Sequence, residues 1–128
     1  MEIPSQYLDL FKKRAFAHLA TLMPDGSPQV TPVWVDYDGK FILVNSSKGR
    51  QKDRNMRRDA HVALEIQDPD NPYRYIAIRG IILEITEEGA EKHINELSMR
   101  YKGKPYDRVD PKNPRVIYKI EPLKVSGH

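Results

Sequence analysis

The chain has 128 residues, 39% hydrophobic and 30% charged, with a formal net charge of +3. This is the balance of one globular domain, neither disordered nor membranous, and long enough to bury most of its apolar surface. The absence of cysteine excludes disulfides, thiolate metal sites, iron–sulfur clusters and a cysteine nucleophile.

The longest apolar stretches, Phe41–Val44 and Ile81–Leu83, fall far short of the ~20 residues that span a bilayer. Met1–Lys13 lacks a signal-peptide pattern, so the expected compartment is the cytoplasm.

In chain order, Ser5 is placed to cap a short helix ending near Lys13, with Leu8 and Phe11 on one face. Phe16–Leu22 alternates and reads as a strand. Pro24-Asp25-Gly26 supplies a turn. Gln29–Tyr37 reads as one strand. Pro32 inside it lacks a ladder donor, which places the strand at an edge or marks a bulge. Asp38-Gly39 is a hairpin signal leading into Phe41–Asn45.

A loop over Ser46–Gly49 and a two-turn helix over Gln51–Arg58 follow, then a strand over Val62–Gln67. Asp68–Pro72 is a turn-rich loop, and Arg74–Ile85 a long strand bent at Gly80. Thr86 is placed to cap a helix with Ala90, Ile94, Leu97 and Tyr101 on one face. A loop over Lys102–Pro114 leads to a last strand, Val116–Val125. About six antiparallel strands and three helices predict a mainly β barrel with helices covering its ends.

The charge is uneven. Lys48–Arg58 holds six basic residues and one acid, a net +5, and leaves −2 for the rest of the chain. Lys52 falls in the first helical turn, where a cation is unfavourable by roughly 0.3–1 kcal/mol unless an anion is near. Arg54 and Arg58, four apart, repel. Together these point to an anionic partner at a helix N-terminus, with Ser46, Ser47 and Arg50 as further donors. Asn55 lies three residues after Lys52 on the same face. The competing reading is a solvated basic surface helix.

Val33-Trp34-Val35, after Pro32, offers freed backbone groups beside the only tryptophan, which could equally be barrel core. Tyr73 and Tyr75 share one face of an extended segment. They either cover a flat ring or pack on the sheet. The four histidines show no ligand spacing, and no hydrolase elbow or nucleotide-triphosphate loop occurs.

Taken in order, four stretches resemble a known family. They are Ala20-Thr21-Leu22 before Pro24–Pro28, Val30–Trp34, Gly49–Asp59, and Asp68–Tyr75 with Arg79-Gly80. The sequence resembles the pyridoxamine-phosphate-oxidase-like split β-barrel flavoproteins. Within them it is most similar to the small deazaflavin-dependent oxidoreductases that use coenzyme F-420.

The resemblance implies a six-stranded antiparallel split barrel of the FMN-binding type, a single cofactor-binding domain over residues 1–128. It implies a homodimer with two cofactor sites at the subunit interface. From the residues themselves, the histidine spacing, the short apolar runs and the confinement of positive charge to one segment predict no metal, membrane or nucleic-acid partner. The backbone of Pro32, Val33 and Trp34 would lie along the cofactor ring. Asn45, Ser46, Ser47, Arg50, Lys52 and Asn55, with the adjacent Met56, would hold the ribityl chain and phosphate. Tyr73 and Tyr75 would come near the ring or tail, from the same or the second subunit.

The implied reaction is hydride transfer between F-420 and a small unsaturated acceptor such as an enone, a quinone or a tetrapyrrole-like molecule. The +5 segment exceeds what one phosphate needs and favours the longer polyanionic tail of F-420. The chain ends at Ser126-Gly127-His128 without the extension that grips pyridoxal phosphate in the vitamin-B6 oxidases, which counts against that activity. The alternatives are an FMN oxidoreductase of the same fold, or a non-catalytic barrel that binds flavin or nucleic acid.

Overall fold

A computed structural model describes residues 1–128. The alternating segments form β1 (Ala17–Leu22), β2 (Pro28–Val33), β3 (Val35–Tyr37), β4 (Ile42–Ser47), β5 (His61–Asp68), β6 (Asn71–Thr86) and β7 (Arg115–Gly127). They make one antiparallel sheet in the order β2-β1-β5-β6-β7-β4-β3. A 3-10 helix (Ser5–Phe11), α1 (Gln51–Arg58) and α2 (Ala90–Lys102) complete the fold.

The two edges of the sheet meet in one core. Val33 of β2 and Val35 of β3 both join the cluster of 20 buried residues that contains Leu19, Leu64, Ile78 and Ile120. The sheet therefore curls around its own apolar face as a split barrel. β2 is an edge strand, as Pro32 requires.

The strand count is seven, not six, because Gln29–Tyr37 is broken at Trp34. Val33 pairs with Ala17 on β1, whereas Val35 pairs with Val44 on β4. At Trp34 the chain thus passes from one sheet edge to the other. A distant contact fixes the break: the Trp34 ring stacks on Tyr101 at 5.2 Å, and the Val35 amide donates to the Tyr101 hydroxyl at 3.2 Å.

Other local expectations shift for identifiable reasons. Ser5 begins the 3-10 helix rather than capping it, and Pro4 occupies the cap position with no side-chain hydrogen bond. Thr86 accepts from the Glu88 amide in a turn, and α2 starts later, after Gly89 at φ 73°. The Asp38-Gly39 hairpin runs over four residues because Asp38 Oδ1 accepts from the amides of both Lys40 and Phe41. The loop after Asp68 contracts to Pro69-Asp70, since Asp68 pairs with Asn71.

Gly80 does mark a register shift in β6. A Cβ there would lie 2.7 Å from Ile120 Cγ2 and 2.8 Å from the Glu121 carbonyl. Such overpacking typically costs about 1–3 kcal/mol, so only glycine fits the bend.

An ionic clamp ties the N-terminal helix to the β5–β6 hairpin. Arg74 donates to Asp9 at 2.7 Å and to Asp68 at 2.8 Å, and Lys13 donates to Asp68 at 3.1 Å. The Asp70 amide, Arg74 and Lys13 hold the Asp68 carboxyl down to about 2, against an ordinary 3.8. Asp9 is lowered as well, chiefly by Arg74. A depressed carboxylate stabilises the fold fully above its unfolded pKa and loses that contribution as pH falls through its folded pKa. Stability should therefore fall between about pH 4 and about pH 2, and Asp68→Asn should reduce the slope. Urea unfolding across that range checks this, and an undiminished slope in the variant would contradict it.

Candidate functional site

Helix α1 is seated by a buried carboxylate. Asp53, 2% exposed, accepts from the Gly49 amide at 2.9 Å, the Tyr118 hydroxyl at 2.5 Å and Arg57 Nε at 2.9 Å. Burial opposes its ionisation, but these three donors outweigh burial and keep the carboxyl below its usual range. Burial, and then the same contact with Asp53, push the Tyr118 phenol far up. The helix start is thereby fixed against β7, with Arg50 and Lys52 facing the crossing at Trp34.

A cleft of ≈ 180 Å³ lies there. Its polar side is Asn45 and Ser46 of β4, Arg50 and Lys52 of the α1 start, and Arg115 of β7. Its other side is Phe16, Pro32, Val33, Trp34, Ile94 and Tyr106. No carboxylate lines it.

Three cations converge on this cleft without a counter-charge. Arg50, Lys52 and Arg115 take part in none of the chain's ion pairs. Lys52 Nζ has one partner, the Thr31 hydroxyl at 3.2 Å. Burial, then Arg50 and Arg115, lower the Lys52 pKa. Arg115, 7% exposed, is lowered by burial first and by Arg50 as well. Like charges held together at this cost are the arrangement that an anion would stabilise.

Arg115 is held by neutral acceptors. It donates from Nε to Asn45 Oδ1 at 2.8 Å, and from Nη1 to Ser47 Oγ at 2.9 Å and the Tyr106 hydroxyl at 3.3 Å. The guanidinium also lies over the Tyr106 ring, 5.0 Å from its centre. Tyr106 meets Trp34 edge-on at 6.5 Å. The cleft thus joins a cationic end to an aromatic wall, a pairing suited to a flat ring carrying a phosphate.

Of the residues singled out from the sequence, Pro32, Val33, Trp34, Asn45, Ser46, Arg50 and Lys52 come together here. Ser47 is one step behind, against Arg115. Asn55 does not reach the cleft. It is fully buried, and its amide donates to Thr21 Oγ1 at 3.0 Å. Met56 belongs to the main core. Tyr73 is 88% exposed, and Tyr75 stacks on His128 at 4.7 Å. Neither tyrosine lines the cleft within one copy of the chain.

Phe16, Ile94, Tyr106 and Arg115 were not legible as site residues. Arg115 arrives through the pairing of β4 with β7, where it sits opposite Ser47. Its sequence signal is slight, a basic residue opening a strand after a proline-rich loop.

The +5 segment also reads differently in three dimensions. Lys48 pairs with Glu87 at 3.7 Å and Arg57 with Asp53 at 2.9 Å. Arg54 donates to the Gly49 carbonyl at 2.6 Å, and Arg58 to the Leu22 carbonyl. Four of its six cations are therefore engaged within the chain. Only Arg50 and Lys52 face the cleft, so the charge of this segment no longer argues for a long polyanionic tail.

No group of three or more His, Asp and Glu side chains is arranged to hold a metal ion, and no helix is long and apolar enough to cross a membrane.

The family described as pyridoxamine 5'-phosphate oxidase matches residues 3–128. Among solved structures, an F-420 reductase is 35% identical, with a TM-score of 0.86, over 97% of this chain and 98% of that one. A conserved hypothetical protein from Mycobacterium tuberculosis is 28% identical, with a TM-score of 0.77, over 99% of this chain and 84% of that one. A protein from Listeria innocua shares the fold at 22% identity, with a TM-score of 0.73, over 95% of this chain and 94% of that one. No curated protein is significantly similar in sequence. The chain, matched over nearly its whole length, belongs to the pyridoxamine 5'-phosphate oxidase family.

Proposed function

We propose that the protein is a cytoplasmic, homodimeric oxidoreductase that holds coenzyme F-420 and passes hydride between it and a small unsaturated acceptor. The observation that carries this reading is the cleft where Arg50, Lys52 and Arg115 meet beside Trp34 and Tyr106 with no carboxylate. The likeness to an F-420 reductase at 35% identity supports the deazaflavin over FMN.

The residues fit such a group. Arg50, Lys52 and Arg115 would take its phosphate, Arg115 through its remaining guanidinium hydrogens. Ser46, and Ser47 behind it, would meet the ribityl hydroxyls. The backbone of Pro32–Trp34 would flank the ring. When bound, the deazaflavin supplies a hydride, and the protein supplies placement and a water-poor wall. Tyr101 keeps that wall rigid, since its hydroxyl donates to the Ala15 carbonyl at 2.7 Å and its ring backs Trp34.

The cleft is too small to enclose a whole cofactor, because ligand pockets generally measure about 300–1,000 Å³. A second copy would complete it. The outer sheet face offers a surface: Ala20, Ala63 and Ala77 point outward between Val30 and Leu123, which are 61% and 53% exposed. Two adjoining grooves of ≈ 440 and ≈ 450 Å³ share Ala20, Ala63, Arg79 and Lys124 on this face. Small side chains let another sheet approach closely.

Two measurements test the reading. Fluorescence titration should show tight binding of F-420 and weak binding of FMN. Lys52→Glu should weaken F-420 binding by about a hundredfold while the melting temperature holds, given the about 2–3 kcal/mol of a charge-assisted contact turned repulsive. Tight FMN binding alone, or an unaffected variant, would contradict it. For the assembly, sedimentation should give a dimer for the wild type and a folded monomer for Ala63→Glu. A monomeric wild type would remove the interface.

A further inference from the structure

His93 is a buried histidine on α2, 7% exposed, and it is not among the residues lining the cleft. Its Nε2 lies 3.1 Å from Asp36 Oδ2, and its Nδ1 lies 3.2 Å from Asn45 Nδ2. The Asn45 amide has only one workable orientation. Arg115 Nε can only donate, and it meets Oδ1 at 2.8 Å. The Ala90 carbonyl can only accept, and it meets Nδ2 at 2.9 Å. The second hydrogen of Nδ2 therefore points at the histidine ring, and Nδ1 has to present a lone pair. The ring is the neutral Nε2–H tautomer and donates to Asp36.

We infer that His93 is a positioning residue: the lone pair of its Nδ1 holds the Asn45 amide, and through Asn45 it fixes the Arg115 guanidinium in the cleft. This rests on the reading of the cleft as an anion site. The amide cannot turn over without losing both Arg115 and Ala90. Asp36 of β3 orients the ring at Nε2. Arg100, on α2 itself, occupies the other Asp36 oxygen at 2.8 Å and so fixes that carboxylate.

The test uses sulfate at about pH 8 and the fluorescence of Trp34, the only tryptophan. His93→Gln keeps an acceptor and a donor, and its affinity should stay within about twofold of the wild type. His93→Leu removes the acceptor and should bind about fivefold or more weakly. A His93→Leu affinity equal to that of the wild type, or a loss in His93→Gln as large as that in His93→Leu, overturns the relay. Absence of sulfate binding overturns the anion reading instead. The relay is then judged on the wild type by imidazole nitrogen spectra, with His93→Gln used for assignment. At about pH 8 they should show the Nε2–H tautomer of His93, and the Nδ1–H tautomer would overturn the relay.

Discussion

A single buried carboxylate organises the functional end of this barrel. Asp53 gathers the Gly49 amide, the Tyr118 hydroxyl and Arg57 around one ionised group. Each contact joins a different part of the chain: the loop before α1, the inner strand β7, and the last turn of the helix. Removing a charged hydrogen-bond acceptor of this kind leaves buried donors unsatisfied, which costs several times more than an ordinary surface contact. The position of Arg50 and Lys52 relative to Arg115 follows from that anchorage, since α1 and β7 supply the cations and Asp53 ties the one to the other.

The chain distributes its charge in two ways. Most basic side chains of the segment from Lys48 to Arg58 are spent on carbonyls and carboxylates of the same molecule. The three cations at the cleft are not. Thr31 holds Lys52, and Asn45, Ser47 and the Tyr106 hydroxyl hold Arg115, all of them neutral. Neutral acceptors fix a guanidinium in direction without cancelling its field, which keeps the site receptive to a negative group. The network continues outward through Asn45 to His93, Asp36 and Arg100, where a full ion pair first occurs.

Much of the fold was legible because its signals are local. Alternation placed the strands to within a few residues, and the bounds of α1 agree with the sequence reading. Pro32 and Gly80 marked an edge and a bend for reasons of backbone chemistry alone. The break at Trp34 was hidden, because Gln29–Tyr37 is uniformly β-prone and the cause of the break, Tyr101, lies far along the chain. The site shows the same division. Lys52 and Asn55 do share a helix face, as their spacing requires. Three residues of helix nevertheless rise about 4.5 Å, enough to send Asn55 to Thr21 while Lys52 reaches the cleft. Arg115, Tyr106 and His93 enter through strand pairing and helix docking, which no short motif announces.

The central claim is that Arg50, Lys52 and Arg115 form the seat of a cofactor phosphate next to the Trp34 wall. The most direct measurement is a crystal structure of the protein grown with coenzyme F-420. The account predicts phosphate density within hydrogen-bonding distance of all three cations, with the ring along Pro32–Trp34. A cofactor bound elsewhere, with the three cations facing only water, would contradict it.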